Sequence, residues 1–244
     1  MTWVYLENLV LDALCPGRLG QFWASALAAD VLTDTEDAYE CRLRVDGGPD
    51  LDLCFPRVPD RPAEEIRLHL NLRGGADQEA VTDRLVGLGA RRLDIGQAEV
   101  PLVVLADPEG NAFCVLEERP VYSATGPIAA LPIDSANPET DGAFWSWLTG
   151  WTIAPGVAPV TLRHPSRHGV LLEFCAEQTP KTAAKNRLHL DVRLEAGDDP
   201  DDVLAGVASR SGRRLEPGWG ELPWWVCADP SGNEFCLLPS RPAS

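Results

Sequence analysis

The stretch "DPEGNAFCVL" (Asp107–Leu116) returns near the other end of the chain as "DPSGNEFCLL" (Asp229–Leu238), with seven of ten positions identical. In each copy Asp, Pro, Gly and Asn separate two apolar runs. That composition is typical of a tight turn between strands, with Gly110 or Asn111 able to take positive φ. The pattern therefore predicts a hairpin corner that is used twice, and the turn alone explains these residue types without any chemistry.

The repeat extends well beyond this turn. A shift of 120 to 122 residues also aligns "GQFWASAL" (20–27) with "GAFWSWLT" (142–149), and "RLHLNLR" (67–73) with "RLHLDVR" (187–193). Matching segments in the same order predict tandem homologous domains, and a chain of 244 residues is long enough for two. We place these domains at residues 1–120 and 125–244, joined by a linker with Pro, Gly and small residues.

Each copy has the pattern of strands alternating with helices. In the first copy "LVLDAL" is predicted as a strand, followed by a helix whose Leu19, Phe22, Trp23 and Leu27 share one apolar face. Two short strands follow, then a strand, a second helix capped by Asp77, and three more strands. The order is βαββ and then βαβββ, which indicates an α+β fold.

The composition disfavours several classes of function. A formal net charge of −16 argues against nucleic acid as a partner, because that affinity depends on clustered Lys and Arg. No apolar run approaches the roughly 18 residues of a membrane helix, and the first residues lack the basic head and cleavage site of an export signal. We therefore expect a cytoplasmic protein without nucleic acid or membrane partners, in which the seven cysteines are reduced and buried.

Several of these motifs resemble the vicinal oxygen chelate (VOC) superfamily: the paired βαβββ units, the "FW" helix, the "HL" strand and the final "DPxGNxFC" segment. That superfamily includes glyoxalase I, bleomycin resistance proteins and extradiol dioxygenases. The resemblance covers nearly the whole chain and is closest to glyoxalase-like proteins of actinobacterial type, in which two such domains are fused. It implies two tandem glyoxalase/bleomycin resistance-like domains, each made of two βαβββ modules that form a cupped mixed sheet around a ligand.

Strand alternation predicts which side chains line this cup. In "RLHLNLR" the three leucines point one way, under a helix: Leu68, Leu70 and Leu72. The polar residues between them then face the cup: His69, Asn71 and Arg73. On the last strand of the copy a second row shares one face: Phe113, Val115 and Glu117.

We predict that His69 and Glu117 are the catalytic residues. The alternation along the last strand is expected to bring Glu117 into the same cavity as His69. A carboxylate that orients an imidazole also raises its basicity. Such a pair suits proton abstraction next to a carbonyl, although a histidine hydrogen-bonded within the sheet is the structural alternative.

The resemblance also implies metal ligands: a residue of the first strand, the His of the "HL" strand, and a Glu near the end of the last strand. In the first copy His69 and Glu117 match, but the first-strand position falls on Asn8, which is a poor ligand for a transition metal. The second copy offers no carboxylate at the matched positions, which are Ala130, His189 and Pro239. We therefore expect no cofactor, with a divalent metal possible in the first domain only.

Further ligand-binding candidates lie in the second copy. His189 and Asp191 are two residues apart on a strand and form a second His–carboxylate pair. Trp224 and Trp225 are adjacent, so one ring joins the core while the other, which we take to be Trp225, faces the cup or a domain interface. Core packing is the alternative for both rings. An aromatic wall in an acidic chain would favour a flat or cationic ligand.

The sequence thus predicts a small-molecule-binding protein, an enzyme of lyase or isomerase type that uses His/Glu acid–base chemistry. The alternative is a non-catalytic protein that sequesters a drug or metabolite, as bleomycin resistance proteins do. A metal-dependent glyoxalase or dioxygenase is disfavoured because neither copy supplies a complete ligand set. The fused tandem is expected to be a monomer or a homodimer.

Overall fold

A computed structural model describes residues 4–60, 66–94, 96, 100–218 and 220–241. Four α-helices lie in these ranges: Pro16–Leu27 (α1), Gln78–Gly87 (α2), Pro138–Thr149 (α3) and Pro200–Ser209 (α4). The strands of the first half are Val4–Leu11 (β1), Asp30–Asp34 (β2), Ala38–Leu43 (β3), Leu51–Pro56 (β4), Asn71–Gly75 (β5), Arg91–Arg92 (β6), Val103–Ala106 (β7) and Ala112–Glu117 (β8). Those of the second half are Ile128–Ser135 (β9), Thr152–Ile153 (β10), Val160–Arg163 (β11), Leu171–Ala176 (β12), Leu188–Leu194 (β13), Arg213–Arg214 (β14), Trp225–Ala228 (β15) and Glu234–Leu238 (β16).

These elements form four βαβββ modules, each with one helix and four strands. The sequence pattern missed β2, so it predicted only βαββ for the first module. The reason is that four of the five β2 residues are exposed, and such a strand shows no apolar alternation. None of the helices in the described ranges is long and apolar enough to cross a membrane.

The four modules build two eight-stranded mixed sheets, which confirms the α+β prediction. The first sheet has the order β14-β15-β16-β13-β1-β4-β3-β2, and the second the order β10-β11-β12-β9-β5-β8-β7-β6. The first module therefore pairs with the fourth, through antiparallel β1 and β13, and the second pairs with the third, through β5 and β9. Each sheet takes strands from both halves of the sequence repeat.

One hydrophobic cluster joins the inner faces of both sheets to the helices. The predicted leucines Leu68, Leu70 and Leu72 belong to it, as do all four apolar residues predicted for the face of α1. Trp23 of α1 packs on Phe113 of β8, with ring centroids 5.0 Å apart. The helices thus connect the sheets, and the opposite face of each sheet, turned away from this cluster, is called its outer face below.

The repeated turn has a structural role in this packing. Asp107 accepts hydrogen bonds from the Trp23 Nε1 group (3.2 Å) and from the backbone of Asn111 (2.9 Å). Asp229 does the same for Trp145 (3.2 Å) and for the backbone of Asn233 (2.9 Å). Each turn therefore fixes a hairpin to the helix of a neighbouring module. The φ angle of Gly110 is 82°, which is positive as predicted.

Candidate functional site

The outer face of the first sheet carries a row of polar side chains across four adjacent strands. The register pairs Cys236 with Asp191, Asp191 with Asn8, and Asn8 with Asp52. Paired residues project to the same face of a sheet. His189 lies two residues from Asp191 and projects to that face as well.

Two side chains of this row, Asp191 and Cys236, converge on a single nitrogen atom of His189. His189 Nε2 lies 3.4 Å from Asp191 Oδ1 and 3.6 Å from Cys236 Sγ. Asn8 Nδ2 donates a hydrogen bond to the other carboxylate oxygen, Asp191 Oδ2 (3.0 Å). His189 Nδ1 and Asp191 Oδ1 are buried and have no hydrogen-bond partner among the described residues. The three residues His189, Asp191 and Cys236 are called the cluster below.

The geometry of the cluster argues against a nucleophilic cysteine. In a Cys–His–Asp arrangement the thiol and the carboxylate contact opposite ring nitrogens, so that the imidazole can pass a proton between them. Here both contact Nε2. Burial and the nearby Asp191 also raise the pKa of the Cys236 thiol well above its ordinary value, which keeps it protonated and unreactive.

The same geometry fits a divalent metal. Imidazole nitrogen, carboxylate oxygen and thiolate sulfur are all zinc ligands, and bond lengths of ~2.0–2.3 Å in a tetrahedron separate neighbouring ligand atoms by roughly 3.3–3.6 Å. The measured contacts are 3.4 Å and 3.6 Å, and the ligand atoms all lie within 4.8 Å of one another. Metal coordination would also account for the unpartnered Asp191 oxygen. The cluster is therefore a possible metal site.

This placement does not support the expectation that a metal would be confined to the first domain. All three ligand residues belong to the second half of the sequence, and Asn8 of the first half only supports them. The family resemblance implies a Glu at the position of Pro239, and the apolar run around Cys236 predicts only a buried apolar residue there. The structure instead brings Cys236 beside Asp191 through the pairing of β13 with β16.

A cavity of about 520 Å³ opens beside this row. Its walls are Tyr5, Leu6, Glu7, Arg42, Gly48, Pro49, Asp50, Asp52, Thr149, Trp151, His164 and Arg241. Arg42 donates two hydrogen bonds of 2.7 Å to Asp52. Glu7 accepts hydrogen bonds from both Arg193 and Arg241. The cavity reaches the cluster indirectly, since Asp52 is the strand partner of Asn8.

The outer face of the second sheet is covered by the chain itself. Tyr122, in the linker, is only 2% exposed and packs against Leu116, Ala130 and Leu171. Its hydroxyl donates to Glu173 Oε1 at 3.0 Å. The linker therefore occupies the face on which the sequence analysis expected a ligand.

The structure does not bring His69 and Glu117 together. In the parallel register of β5 and β8, Glu117 is opposite Gly75, and His69 comes six residues before Gly75. At about 3.3 Å per residue this separates the two by roughly 15–20 Å along the strands. Glu117 instead pairs with Arg119, and burial lowers the pKa of His69 to about 4.

The other candidates of the first copy are divided between the two faces. The prediction that Phe113 and Val115 face the cup is wrong: they are 1% and 0% exposed and lie in the shared core. The register explains this, because Val115 pairs with the inner residue Leu72. Asn71 pairs with Cys114 on the covered outer face, and Arg73 is exposed and donates to the Ser123 carbonyl (3.3 Å).

The candidates of the second copy lie closer to the cluster. His189 and Asp191 are part of it, as described above. Trp225 is half-buried and packs against the shared core, so the expectation that it faces the cup is not supported. The tryptophan that lines the cavity is Trp151, which sequence alternation did not single out because it follows a helix rather than lying in a strand.

Comparison with known proteins agrees with this architecture. A family model described as a glyoxalase-like domain matches residues 8–116 and again residues 130–238. Glyoxalase I from Zea mays has a similar fold, with a TM-score of 0.67 and 13% identity over 97% of this chain and 92% of that one. The cppA protein from Streptococcus pneumoniae TIGR4 superposes with a TM-score of 0.50 and 12% identity over 97% and 98%.

At these identities the structures share the fold alone, and no curated protein matches the sequence. Membership of the actinobacterial branch stays a prediction. The two matches of the family model together cover most of the sequence. The chain therefore belongs to the glyoxalase-like domain family, in the VOC superfamily.

Proposed function

We propose that this protein binds a small polar organic molecule at the outer face of the first sheet and acts on it as a lyase or isomerase, by proton transfer at the cluster. The observation that carries the proposal is the convergence of Cys236 and Asp191 on His189 Nε2. Proton transfer and metal ligation both need such closely spaced, buried and partly unpartnered polar atoms.

The cavity beside the cluster supports small-molecule binding. Its volume of about 520 Å³ falls within the range of roughly 300–1,000 Å³ that is usual for ligand pockets. Tyr5 and Trp151 offer aromatic surface, while the ion pairs of Glu7 and Asp52 present charges of both signs. A flat molecule with polar or charged substituents matches these walls.

Each residue of the cluster has an assigned role. Asn8 fixes Asp191 through Oδ2, which leaves Oδ1 directed at His189. Asp191 then orients the imidazole, so that His189 exchanges a proton with a substrate carbon next to a carbonyl. A divalent metal bound to the same atoms would supply Lewis-acid polarisation of that carbonyl.

Deuterium incorporation tests the catalytic proposal. Small ketones and 2-oxo acids would be incubated with the protein in D₂O, and exchange of the proton next to the carbonyl followed by NMR. We expect exchange with the wild type and its loss in His189→Ala. The matched control is His69→Ala, at the equivalent position of the second sheet, which should keep the activity. Equal exchange rates in wild type and His189→Ala would refute the role of the cluster.

Metal binding is measured separately. After loading with Zn²⁺ or Co²⁺ and gel filtration, mass spectrometry of the metal content should give one equivalent for the wild type and none for Cys236→Ala. Cys114→Ala, the matched variant in the second sheet, should retain the metal. A wild type that retains no metal would remove the metal-assisted form of the proposal and leave the His189–Asp191 pair.

A sequestering function is the second candidate, because none of the three cluster residues lines the cavity as far as the described residues show. A ligand held there would contact paired charges and aromatic rings without meeting the cluster. This function predicts that ligands quench Trp151 fluorescence in the wild type and in His189→Ala alike, with no deuterium exchange in either protein.

A further inference from the structure

A second groove, of about 550 Å³, lies on the surface between the linker and the β10–β11 hairpin. Its walls are Pro120, Val121, Ser123, Thr152, Ile153, Ala154, Pro155, Arg163, His164, Pro165 and Arg167. The titratable side chains among these residues are all basic: Arg163, His164 and Arg167. On a chain with a net charge of −16, a groove whose walls carry basic groups without acidic ones is a local exception.

The guanidinium of Arg163 is held in place without being neutralised. Its Nη1 group donates to the Arg167 carbonyl (2.8 Å) and its Nη2 group to the Val121 carbonyl (2.7 Å). Neither Arg163 nor Arg167 forms an ion pair with any carboxylate of the described residues, in contrast to Arg42, which is bound by Asp52. Burial, and then the charge of Arg167, lower the pKa of Arg163.

Most of the other wall residues are apolar, with Ser123 and Thr152 as the polar exceptions. Ile153 is 78% exposed, and Val121 with three prolines continues this surface. Fixed guanidinium groups that lack an acidic partner favour oxyanions, which they bind by charge-assisted hydrogen bonds. An adjacent apolar wall favours an anion attached to an apolar body.

We propose that this groove binds an organic anion, with its carboxylate or phosphate group between Arg163 and Arg167 and its apolar body against Ile153. The site is separate from the cluster, although His164 lines both this groove and the cavity beside the cluster. The inference does not depend on the function proposed above.

Calorimetric titration with benzoate and phenyl phosphate tests the inference on the whole chain. We expect both probes to bind, with affinity falling as salt rises, and benzylamine, of similar shape and opposite charge, not to bind. Arg167→Gln should weaken binding by about tenfold, as expected for the loss of one charge-assisted contact. Inorganic phosphate, which lacks the apolar body, should bind more weakly than phenyl phosphate.

The control is Arg210→Gln, because Arg210 is also exposed but stacks on Trp147, in a different groove. This variant should bind the probes as the wild type does. Arg163→Gln is a second test, with thermal melting to confirm the fold, since Arg163 also holds two backbone carbonyls. Unchanged affinity in Arg167→Gln, or equal binding of benzylamine, would overturn the proposal.

Discussion

The outer faces of the two sheets are built from the same repeated segments and have diverged. His189 and Cys236 of the first sheet correspond to His69 and Cys114 of the second, but Asp191 is replaced by Asn71 and its strand partner Asn8 by Ala130. The first face keeps a carboxylate beside the imidazole and opens to a cavity. The second has no carboxylate there and is covered by Tyr122. The two faces therefore keep the same histidine and differ in the carboxylate beside it and in the chain segment that covers them.

The largest effect is expected from removing the cover of the second sheet. Tyr122→Ala should lower the free energy of unfolding by about 3–5 kcal/mol, as truncation of a buried aromatic ring does, and should remove the hydrogen bond that the Tyr122 hydroxyl donates to Glu173. Urea denaturation measures this. The matched change in the first sheet is Tyr5→Ala, at the open cavity, for which we expect about 1 kcal/mol or less. Similar losses in the two variants would contradict the contrast between covered and open faces.

The half-buried His69 of the second sheet should make stability depend on pH. Burial lowers the pKa of His69 to about 4 in the folded chain, against about 6.5 when unfolded. Because the folded value is the lower one, the stability that neutral His69 contributes is complete above about pH 6.5 and is lost as the pH falls towards 4.

Between pH 7 and pH 4 the wild type should lose about 3 kcal/mol more than a His69→Gln variant. Urea titrations of both proteins at these two pH values provide the measurement. If the two proteins lose equal amounts of stability, His69 takes up a proton in the folded state as easily as in the unfolded state. Tyr122 would then not shield the outer face of the second sheet.

Exchanging the residues that differ between the two outer faces tests whether the carboxylate is responsible for metal binding. Asp191→Asn gives the first sheet the amide of the second and should weaken Zn²⁺ binding by about 100-fold, as measured by competition with a chromophoric chelator. The reverse change, Asn71→Asp, should not create a site, because Tyr122 still covers that face. Zn²⁺ binding gained by Asn71→Asp would show that the carboxylate alone makes the difference.

A smaller effect is expected at the residue that supports the carboxylate. Asn8→Ala removes the hydrogen bond to Asp191 Oδ2 and should weaken Zn²⁺ binding by about tenfold, since it frees the ligand without deleting it. Asn8→Gln, which keeps the amide, should recover part of the loss. If Asn8→Ala binds Zn²⁺ as the wild type does, the position of Asp191 is set by the sheet alone.

Local features of the sequence predicted local features of the structure. Alternation placed Leu70 and Leu72 in the core, and the repeated turn was recognised from its residue types. The face of Phe113 was predicted wrongly, because the alternation of one strand does not say which of its two faces meets the core. That choice depends on the register with β5, in which Leu72 and Val115 are paired.

The candidate site was harder to predict because it depends on contacts between distant segments. Cys236 looked like a buried apolar residue, and only the pairing of β13 with β16 places it beside Asp191. The pairing of β1 with β13 then adds Asn8. Neither pairing can be read from the order of the residues along the chain, because each joins segments that are distant in the sequence.

The union of the first and fourth modules also sets when the site can form. Asn8 and Asp191 are 183 positions apart, so nearly four fifths of the chain must leave the ribosome before they can meet. Contacts over such a separation carry a high loop-closure entropy and slow the search for the native topology. The second sheet is built from consecutive modules, so its strands can pair before the first sheet is complete.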